Sequence, residues 1–471
     1  MTRHEHRVSR VPILVLVVVL LVVAAAFGSA HRGTSTTDAR ARELQLAATS
    51  MPAPSSLSAA WYCAAGTVAA ATAEDETIVV SDVGTAPVHA EVEVMSGGPG
   101  LAGTSAFDVQ PGQERRVLVS SIAAVASPGV VVEVFGGDAA VEHIVVRGTY
   151  AAITPCARSA SSTWYLPAGT TAGAQQWLSL FDPFGDDAIV DVTFLTDGGP
   201  QAPDPLQGLV VPRRSKLLVP VHDDVAKQNL VATIVHARTG RVVAEQSLLF
   251  DGSANRAGLT LALGAPAVAT RWTFPEGTPA GARGSLVVAN PGASGAHVRI
   301  AVDLDGQAKL SPETITVGAQ SVVSVDLLAH VPSGTGFSVR VQSDVPVSVG
   351  QLAFGAANSA TTVTPSAVTA DRWVFAVGRV NDGWADVLSV VNPSNRTLHV
   401  RVLAPGPGGV TSVTGDPVAV PAGARVTVNL GARGVALRAP LTVEGDVPFV
   451  AERVDAHAPA LTASLGIPDL S

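Results

Sequence analysis

The sequence predicts an all-β protein, a tandem array of four immunoglobulin- or fibronectin-like β-sandwich units after an N-terminal transmembrane helix. Three observations lead to this prediction. Only 15% of the 471 residues are charged, while 45 Gly and 32 Pro supply frequent turns. The chain opens with a long apolar stretch, and a Trp-led segment then recurs four times. Short alternating strands between Gly- and Pro-rich turns are typical of sandwiches and barrels.

The N-terminal helix is predicted from a basic start and an apolar run. Arg3, Arg7 and Arg10 precede residues 11–30, which carry no charged side chain. A run of this length can span a bilayer as a helix. It is either an uncleaved anchor or a signal peptide cleaved after Gly28-Ser29-Ala30, and both would export the rest of the chain.

We therefore expect residues 1–30 to be a signal anchor and residues 31–58 to be a Ser- and Thr-rich linker. The protein would lie in the cell membrane as a single-pass protein with its C-terminal region extracellular, or would be secreted if the signal is cleaved.

The repeat consists of a Trp with a Gly five residues later. The four copies are Trp61-Tyr-Cys-Ala-Ala-Gly66, Trp164-Tyr-Leu-Pro-Ala-Gly169, Trp272-Thr-Phe-Pro-Glu-Gly277 and Trp373-Val-Phe-Ala-Val-Gly378. Because the chain has only six Trp residues, four at one register indicate an internal repeat. The predicted units are 59–158, 159–256, 270–358 and 371–458, with linkers between them.

Further signals recur inside the units. A turn begins at Asp82, Asp182, Asn290 and Asn392, residue types whose side chains accept hydrogen bonds from their own backbone. Three units carry a glutamate on a Val-rich strand near their end, Glu142, Glu245 or Glu452, where the third has Gly350-Gln351.

The third unit contains seven predicted strands, starting near Trp272, Ser285, His297, Glu313, Val322, Phe337 and Val347. Seven strands in about 100 residues favour a two-sheet sandwich. The main alternative is a propeller, whose four-stranded blades need fewer residues.

The six tryptophans fall into two classes. Trp61, Trp164, Trp272 and Trp373 share one register and are expected to pack in the unit cores, although such residues could also form a ligand platform. Trp177 and Trp384 occur in two units only. They are candidates for ligand contact, because surface aromatics can stack on sugar rings, and the alternative is a half-buried strand position.

The chain has two cysteines, Cys63 on the first strand of unit one and Cys156 just after its last strand. In an exported chain this pair is expected to oxidise. The disulfide would stabilise the unit by roughly 4–5 kcal/mol on the chain-entropy model. The alternatives are two inert thiols or a metal pair.

No motif for catalysis, a metal or a cofactor is found. The sequence has no Gly-x-Ser-x-Gly, no His-Glu-x-x-His and no P-loop. His222-Asp223-Asp224 is interpreted as a solvated loop, and the acidic loops at Asp182, Asp303 and Asn381 lack EF-hand spacing. A net charge of −9 without a basic cluster argues against nucleic acid as a partner.

The repeat resembles a unit of exported proteins from high-GC Gram-positive bacteria, a family carried as domain of unknown function 5719. The resemblance rests on Trp272-Thr-Phe-Pro-Glu-Gly277, on the Val-Ala-Asn-Pro turn ending at Pro291 and on the strand Asp446-Val-Pro-Phe-Val-Ala-Glu452. It implies export and the repeat fold over nearly all of residues 59–458, but no activity and no catalytic residues. The first unit departs most from the pattern.

We therefore expect a non-enzymatic structural or protein-interaction scaffold of the cell envelope, displayed outside the cytoplasmic membrane. Its partners would be that membrane, through the N-terminal helix, and an envelope protein or glycan. The alternative is a carbohydrate-binding protein of the cell wall, supported by Trp177 and Trp384. A hydrolase with its site between units has no specific support.

Overall fold

The fold was analysed in a computed structural model. It describes residues 36–53, 55–66, 74–252, 256–278, 282–306, 310–332, 334–355, 359–378, 385–406, 409–436, 438–457 and 460–471. Leu44–Ser471 form one compact body. The expected membrane helix at residues 1–30 lies outside the described residues. Within them, no helix has the length and apolar character needed to cross a membrane.

Helices are few and short. They are α1 (Thr36–Leu46), α2 (Val119–Ile122) and α3 (Val221–Asp224), with 3-10 turns at Asp204–Leu206 and Leu327–His330. The expectation of an all-β protein is confirmed.

The strands form four groups, and the first strand of each group contains a repeat Trp. We call each group a unit. Unit 1 contains β1 (Ser58–Cys63), β2 (Glu74–Asp82), β3 (Val88–Met95), β4 (Leu101–Val109), β5 (Glu114–Leu118), β6 (Gly129–Phe135), β7 (Ala139–Arg147) and β8 (Tyr150–Pro155). Unit 2 contains β9 (Thr163–Gly169), β10 (Gln175–Asp182), β11 (Ala188–Thr196), β12 (Gly199–Gln201), β13 (Leu209–Val211), β14 (Ser215–Pro220), β15 (Val231–Thr239), β16 (Val243–Asp251) and β17 (Ala257–Leu263).

The other two units contain one long strand each. Unit 3 contains β18 (Ala269–Phe274), β19 (Arg283–Asn290), β20 (Ala296–Leu304), β21 (Glu313–Val317), β22 (Ser321–Asp326), β23 (Phe337–Phe354) and β24 (Ala360–Val363). Unit 4 contains β25 (Ala370–Phe375), β26 (Ala385–Val391), β27 (Leu398–Gly406), β28 (Gly409–Ser412), β29 (Val418–Val420), β30 (Arg425–Asn429), β31 (Leu441–His457), β32 (Ala460–Leu465) and β33 (Ile467–Pro468).

Each unit has two antiparallel sheets around a shared apolar core. In unit 1 the strand orders are β1-β6-β3-β4 and β5-β2-β7-β8, and the other units repeat this plan. In units 3 and 4 the long strands β23 and β31 belong to both sheets. The N-terminal half of each strand pairs in the first sheet and the C-terminal half pairs in the second. Side chains of both sheets meet in one core, as Val190 and Leu178 do in unit 2.

The strand order differs from that of the immunoglobulin fold. There the first strand pairs with the second, in the order ABED. Here the first strand β1 pairs with the sixth strand β6, while β2 lies in the other sheet between β5 and β7. The units therefore share a two-sheet, all-β plan with immunoglobulin domains but not their connectivity.

The strand count and the linkers differ from the sequence prediction. The strands expected near Phe337 and Val347 are one continuous strand, β23. Residues 257–263 and 360–363, expected in linkers, form the strands β17 and β24. Their Ala, Thr and Gly content weakens the strand signal, and tertiary packing overrides local propensity.

The strands β8, β17, β24 and β32, which we call the closing strands, occupy equivalent places in the four units and pack against closing strands of other units. β8 lies against β17 and β32, and β24 lies against the same two strands. The Oγ1 atom of Thr462 in β32 accepts the Ile153 N–H of β8 at 3.1 Å, and Thr361 in β24 accepts the Ala463 N–H of β32 at 3.2 Å. Because each unit touches two others in a cycle, the four units form a closed ring.

The four predicted turns adopt the expected capping geometry. The Oδ1 atom of the turn Asp or Asn accepts the N–H of the residue two positions later, at 2.8 to 3.0 Å. The side chains involved are those of Asp82, Asp182, Asn290 and Asn392.

Candidate functional site

The contacts between units centre on one position shared by the strands β7, β16, β23 and β31, which we call the junction position. It holds Glu142, Glu245, Gly350 and Glu452. In each unit this residue pairs across strands with the residue three before the turn Asp or Asn, namely Val79, Ser179, Val287 and Ser389. The three carboxylates, which we call the junction glutamates, are completely buried.

Glu245 of unit 2 binds the backbone of unit 1. Its Oε1 accepts the Ala64 N–H at 3.2 Å, and its Oε2 accepts the Ala65 N–H at 2.7 Å. These amides follow Trp61 by three and four residues. Hydrogen bonds to an ionised acceptor are the stronger kind, and they offset much of the cost of burying the carboxylate.

The other two junction glutamates make the equivalent contact. Glu142 of unit 1 accepts the Val377 N–H of unit 4 at 2.6 Å. Glu452 of unit 4 accepts the Glu276 N–H of unit 3 at 3.0 Å. Unit 2 therefore binds unit 1, unit 1 binds unit 4, and unit 4 binds unit 3.

A second contact at the same three junctions comes from the equivalent strands β5, β14 and β30. Glu114 accepts the Gly378 N–H of unit 4 at 2.7 Å, and the Lys216 Nζ donates to the Pro128 carbonyl of unit 1 at 3.1 Å. At the third junction the guanidinium of Arg425 binds both carboxylate oxygens of Asp305 in unit 3, at 2.7 and 2.9 Å. The equivalent residue of unit 3 is Val322, which lies opposite Ala289 as Lys216 lies opposite Phe181.

The junction between units 2 and 3 is apolar. A Cβ atom at Gly350 would lie 3.0 Å from the Ala168 Cβ and from the Pro167 Cγ of unit 2, so glycine permits this close approach. The contact is made by Ala168, Leu195 and Ala232 of unit 2 and by Val287, Ala289 and Val322 of unit 3.

A buried imidazole lies between two carboxylates at the junction of units 1 and 2. His143 follows Glu142, and its Nδ1 lies 2.9 Å from Oε1 of Glu76. Its Nε2 lies 3.3 Å from Oε2 of Glu245 in unit 2. Burial alone would lower the pKa of His143, but the two carboxylates outweigh it and raise that pKa to about 10. The imidazolium thus links two buried carboxylates of different units.

In units 2 and 4, other polar side chains occupy the positions equivalent to Glu76 and His143. In unit 4, Arg453 binds both carboxylate oxygens of Asp386 at 2.8 Å and also donates to the Val377 carbonyl. In unit 2, the Nε2 of Gln176 donates to Oε1 of Gln246 at 2.8 Å.

Unit 3 has Gly284 at this place, and the side-chain amide of Gln351 has no hydrogen-bond partner among the described residues. Polar pairing is therefore lost in the same unit that lacks a junction glutamate.

The repeat glycine is required by this geometry. A Cβ atom on Gly66 would lie 2.5 Å from Oε2 of Glu76, and one on Gly378 would lie 2.3 Å from the Ala439 backbone nitrogen. Both distances are shorter than real Cβ contacts allow. The glycine therefore lets the backbone after the repeat Trp pass close to its neighbours. The amides that the junction glutamates bind belong to the residues just before this glycine.

The repeat tryptophans lie in the unit cores. Trp61, Trp164, Trp272 and Trp373 are all buried. In three of them the indole Nε1 donates to a backbone carbonyl, that of Val242, Val347 or Phe449, at 2.7 to 3.0 Å.

The predicted disulfide is present, joining Cys63 and Cys156 across 93 residues. The equivalent places in units 2 and 4 hold a large side chain over a glycine. A Cβ atom on Gly264 would lie 3.4 Å from Cγ of Leu166, and one on Gly466 would lie 2.8 Å from Cζ of Phe375. The disulfide thus occupies the space of an apolar contact.

Trp177 is half-buried at the junction of units 1 and 2. Its ring meets that of His222 edge-on at 4.9 Å and packs against Leu259 and Leu261. Its proposed contact with a ligand stays a prediction, and Trp384 lies outside the described residues. The His222-Asp223-Asp224 segment, expected as a loop, forms the short helix α3.

The segment before unit 1 is part of the ring. The Met51 N–H donates to the Pro468 carbonyl at 2.8 Å, and the Arg158 N–H donates to the Ala48 carbonyl at 3.0 Å. Leu46 and Thr49 also line an apolar cavity of about 100 Å³ at the ends of the closing strands. The chain thus enters the ring beside the contacts between units.

The junction residues were only partly foreseen. The three glutamates stood out because a carboxylate in a Val-rich strand is unusual, but nothing local shows that their partners lie 180 or 235 residues away. The side chains of His143, Glu76 and Glu245 have no exposed surface.

Comparison with known families supports the resemblance seen in the sequence. A model of a family of unknown function, DUF5719, matches residues 145–353. The resemblance is thereby confirmed over this part of the chain. No protein with a curated description matches the chain.

Solved structures give only faint similarity. Thermotoga maritima 1070 is 20% identical with a TM-score of 0.20, and the match covers 21% of this chain and 93% of that one. The Anabaena sensory rhodopsin transducer is 26% identical with a TM-score of 0.17, covering 18% and 95%. The FN1–FN3 domains of chicken CNTN1 are 11% identical with a TM-score of 0.11, covering 64% and 95%. Scores this low carry no conclusion about function.

Proposed function

We propose that this chain is a non-enzymatic scaffold of the cell envelope, displayed outside the cytoplasmic membrane, that offers a rigid ring of four β-sandwich units to a protein partner. The observation that carries the proposal is the set of junction glutamates. At three of the junctions, one of these side chains (Glu142, Glu245 or Glu452) accepts a backbone N–H of the neighbouring unit. A string of independent domains would not need such contacts.

The units are proposed to act as sandwich modules of immunoglobulin-like architecture, despite their different strand order. The strands β5, β14, β22 and β30 face the neighbouring unit, whereas the outer strands of the first sheets are edges. The strand β4 is nine residues long and pairs only with β3 within the described sheets. A free edge of this kind can accept an extended segment of a partner by strand addition.

Anchoring also fits the proposal. The segment from Leu46 to Met51 is held inside the ring by backbone hydrogen bonds. A helix in the membrane, proposed for residues 1–30, would thus be joined to the ring through a short linker.

A non-enzymatic role is favoured by how the acid and base groups are used. Glu76, His143 and Glu245 form the most catalysis-like cluster of the described residues. All three side chains are completely buried between units 1 and 2. A substrate would have to separate two units of the ring to reach them.

The test is in-cell crosslinking of the tagged full-length chain, followed by mass spectrometry of the captured proteins. Residues 1–58 fused to an unrelated sandwich domain serve as the matched control. The proposal expects one or a few envelope proteins to be captured by the full chain and not by the control. Recovery of the chain alone, in every condition and with several crosslinkers, would contradict it.

A further inference from the structure

Two tyrosines occupy equivalent places in units 1 and 2. Tyr62 and Tyr165 each follow the repeat Trp, and each exchanges two backbone hydrogen bonds with a residue just after its closing strand. The partners are Ala157 and Ala265, at 2.8 to 2.9 Å. Both side chains point out of the first sheet toward the next unit, and both are partly buried. The two junctions can therefore be compared position by position.

At the junction of units 1 and 2 the tyrosine is covered. Phe184, two residues after the turn residue Asp182, places its ring 6.2 Å from that of Tyr62. The guanidinium of Arg241 lies over the Phe184 ring, 5.0 Å from its centroid. An aromatic side chain from unit 2 thus fills the space above the tyrosine of unit 1.

At the junction of units 2 and 3 the covering side chain is missing. The residue equivalent to Phe184 is Gly292, whose N–H donates to Oδ1 of Asn290 at 3.0 Å in the same kind of turn. A cleft of about 460 Å³ opens here above Tyr165 and beside Pro291. Among the described residues, Tyr165 has no aromatic partner.

The lining of this cleft combines an apolar floor with uncharged polar groups. Tyr165, Ile234, Pro200 and Pro291 supply the apolar surface, and Thr163, Thr193, Gln201, His236 and Gln320 supply the polar groups. No carboxylate, lysine or arginine is among the described residues that line it. Small-molecule sites have this range of volume and this mixture of surfaces.

We infer that the cleft between units 2 and 3 is a binding site for a neutral saccharide. One face of a pyranose ring is apolar and would pack on the Tyr165 ring, in the space that Phe184 fills at the other junction. Its hydroxyl groups would exchange hydrogen bonds with Gln201, Gln320 and His236. The absence of charged lining groups selects against acidic or cationic ligands, because their charge would be desolvated without a partner. This site goes beyond the scaffold proposal and does not depend on it.

The test uses the full chain with cellotriose, maltotriose and tri-N-acetylchitotriose as probes, monitored by saturation-transfer NMR and calorimetry. We expect at least one probe to bind. The Y165A variant should weaken that binding at least tenfold by removing the stacking surface. The G292F variant should weaken it at least tenfold by filling the cleft, and the turn accepts Phe because Phe184 occupies the same turn in unit 2.

The matched control is Y62A, which removes the equivalent ring at the filled junction and should leave the affinity within twofold of the unmodified chain. Thermal unfolding of each variant verifies that it is folded. Failure of all three probes to bind at millimolar concentration would overturn the inference. Binding that survives both Y165A and G292F would overturn it as well, since the sugar would then lie elsewhere.

Discussion

At the scale of single residues, the junction glutamates show how a carboxylate can remain in a dry interface. Glu142, Glu245 and Glu452 each accept hydrogen bonds from backbone N–H groups of another unit. Those donors would otherwise be buried without partners, so the carboxylate and the amides satisfy each other. Removing the carboxylate leaves the amides buried without a hydrogen-bond partner. The cost in the free energy of unfolding then exceeds the net contribution of the hydrogen bond itself.

We predict that E245A destabilises the ring strongly. The substitution leaves the Ala64 and Ala65 amides without their acceptor and removes the carboxylate beside Nε2 of His143. Breaking a buried charged pair from one side costs about 3–5 kcal/mol in the free energy of unfolding. Urea denaturation followed by tryptophan fluorescence would measure it. E91A is the control, because the Glu91 side chain is 54% exposed and its loss should cost less than about 0.5 kcal/mol. A loss below about 1 kcal/mol for E245A would show that the contact is unimportant.

We also predict that stability falls as the pH rises from 4.5 to 7. Burial raises the pKa of Glu142 from 4.5 to about 7. The folded protein therefore retains a proton in this window that the unfolded chain has released, so the stabilisation present below pH 4.5 is lost as the pH approaches 7. The shift corresponds to a loss on the order of 3 kcal/mol.

E142Q tests this directly, since the amide keeps an acceptor for the Val377 N–H but does not titrate. Calorimetric melting temperatures between pH 4.5 and 7.5 should fall less for E142Q than for the unmodified chain. Asp82 and Asp182, whose pKa values burial raises to about 6, titrate in both proteins and cancel in the comparison. If the melting temperatures of E142Q and the unmodified chain fell equally over this pH range, the loss of stability could not be assigned to Glu142.

At the scale of elements, the closing strands are the pieces that convert four sandwiches into one ring. Two of them, β17 and β24, were expected in linkers, because β24 has only four residues and β17 contains Gly and Ala. The turns were predictable, since an Asp or Asn side chain caps its backbone through local contacts alone. The closing strands depend on partners from other units, which local sequence does not reveal.

The disulfide provides a test at this scale, because it stands where the other units have an apolar contact. We predict that C63A/C156A loses roughly 4–5 kcal/mol, as expected for opening a loop of this length. The variant C63F/C156G, which copies Phe375 over Gly466 of unit 4, should recover part of that loss through packing. Denaturant midpoints under oxidising conditions would measure both. Equal midpoints for the two variants would show that unit 1 cannot accept the packing used in unit 4.

At the scale of the whole molecule, the four junctions are not equivalent. Three are fixed by charged groups, whereas the junction of units 2 and 3 has Gly350 and Val322 at the places of a glutamate and a charged side chain. Repetition of the sequence predicted four similar units but not their closure, because closure depends on contacts such as that of Glu142 with Val377, 235 residues apart. The same apolar junction contains the cleft above Tyr165, which becomes visible only when two units are compared.

Small-angle X-ray scattering from residues 44–471 is the most direct test of the central claim, that the four units close into one ring. A compact body of this length should have a radius of gyration of about 22 Å. We predict a value near this figure, unchanged between low and high salt because the junction groups are buried. A radius of gyration above about 30 Å would mean an extended string of units, since a compact chain of this length cannot reach it. That result would contradict the ring and, with it, the role assigned to the junction glutamates.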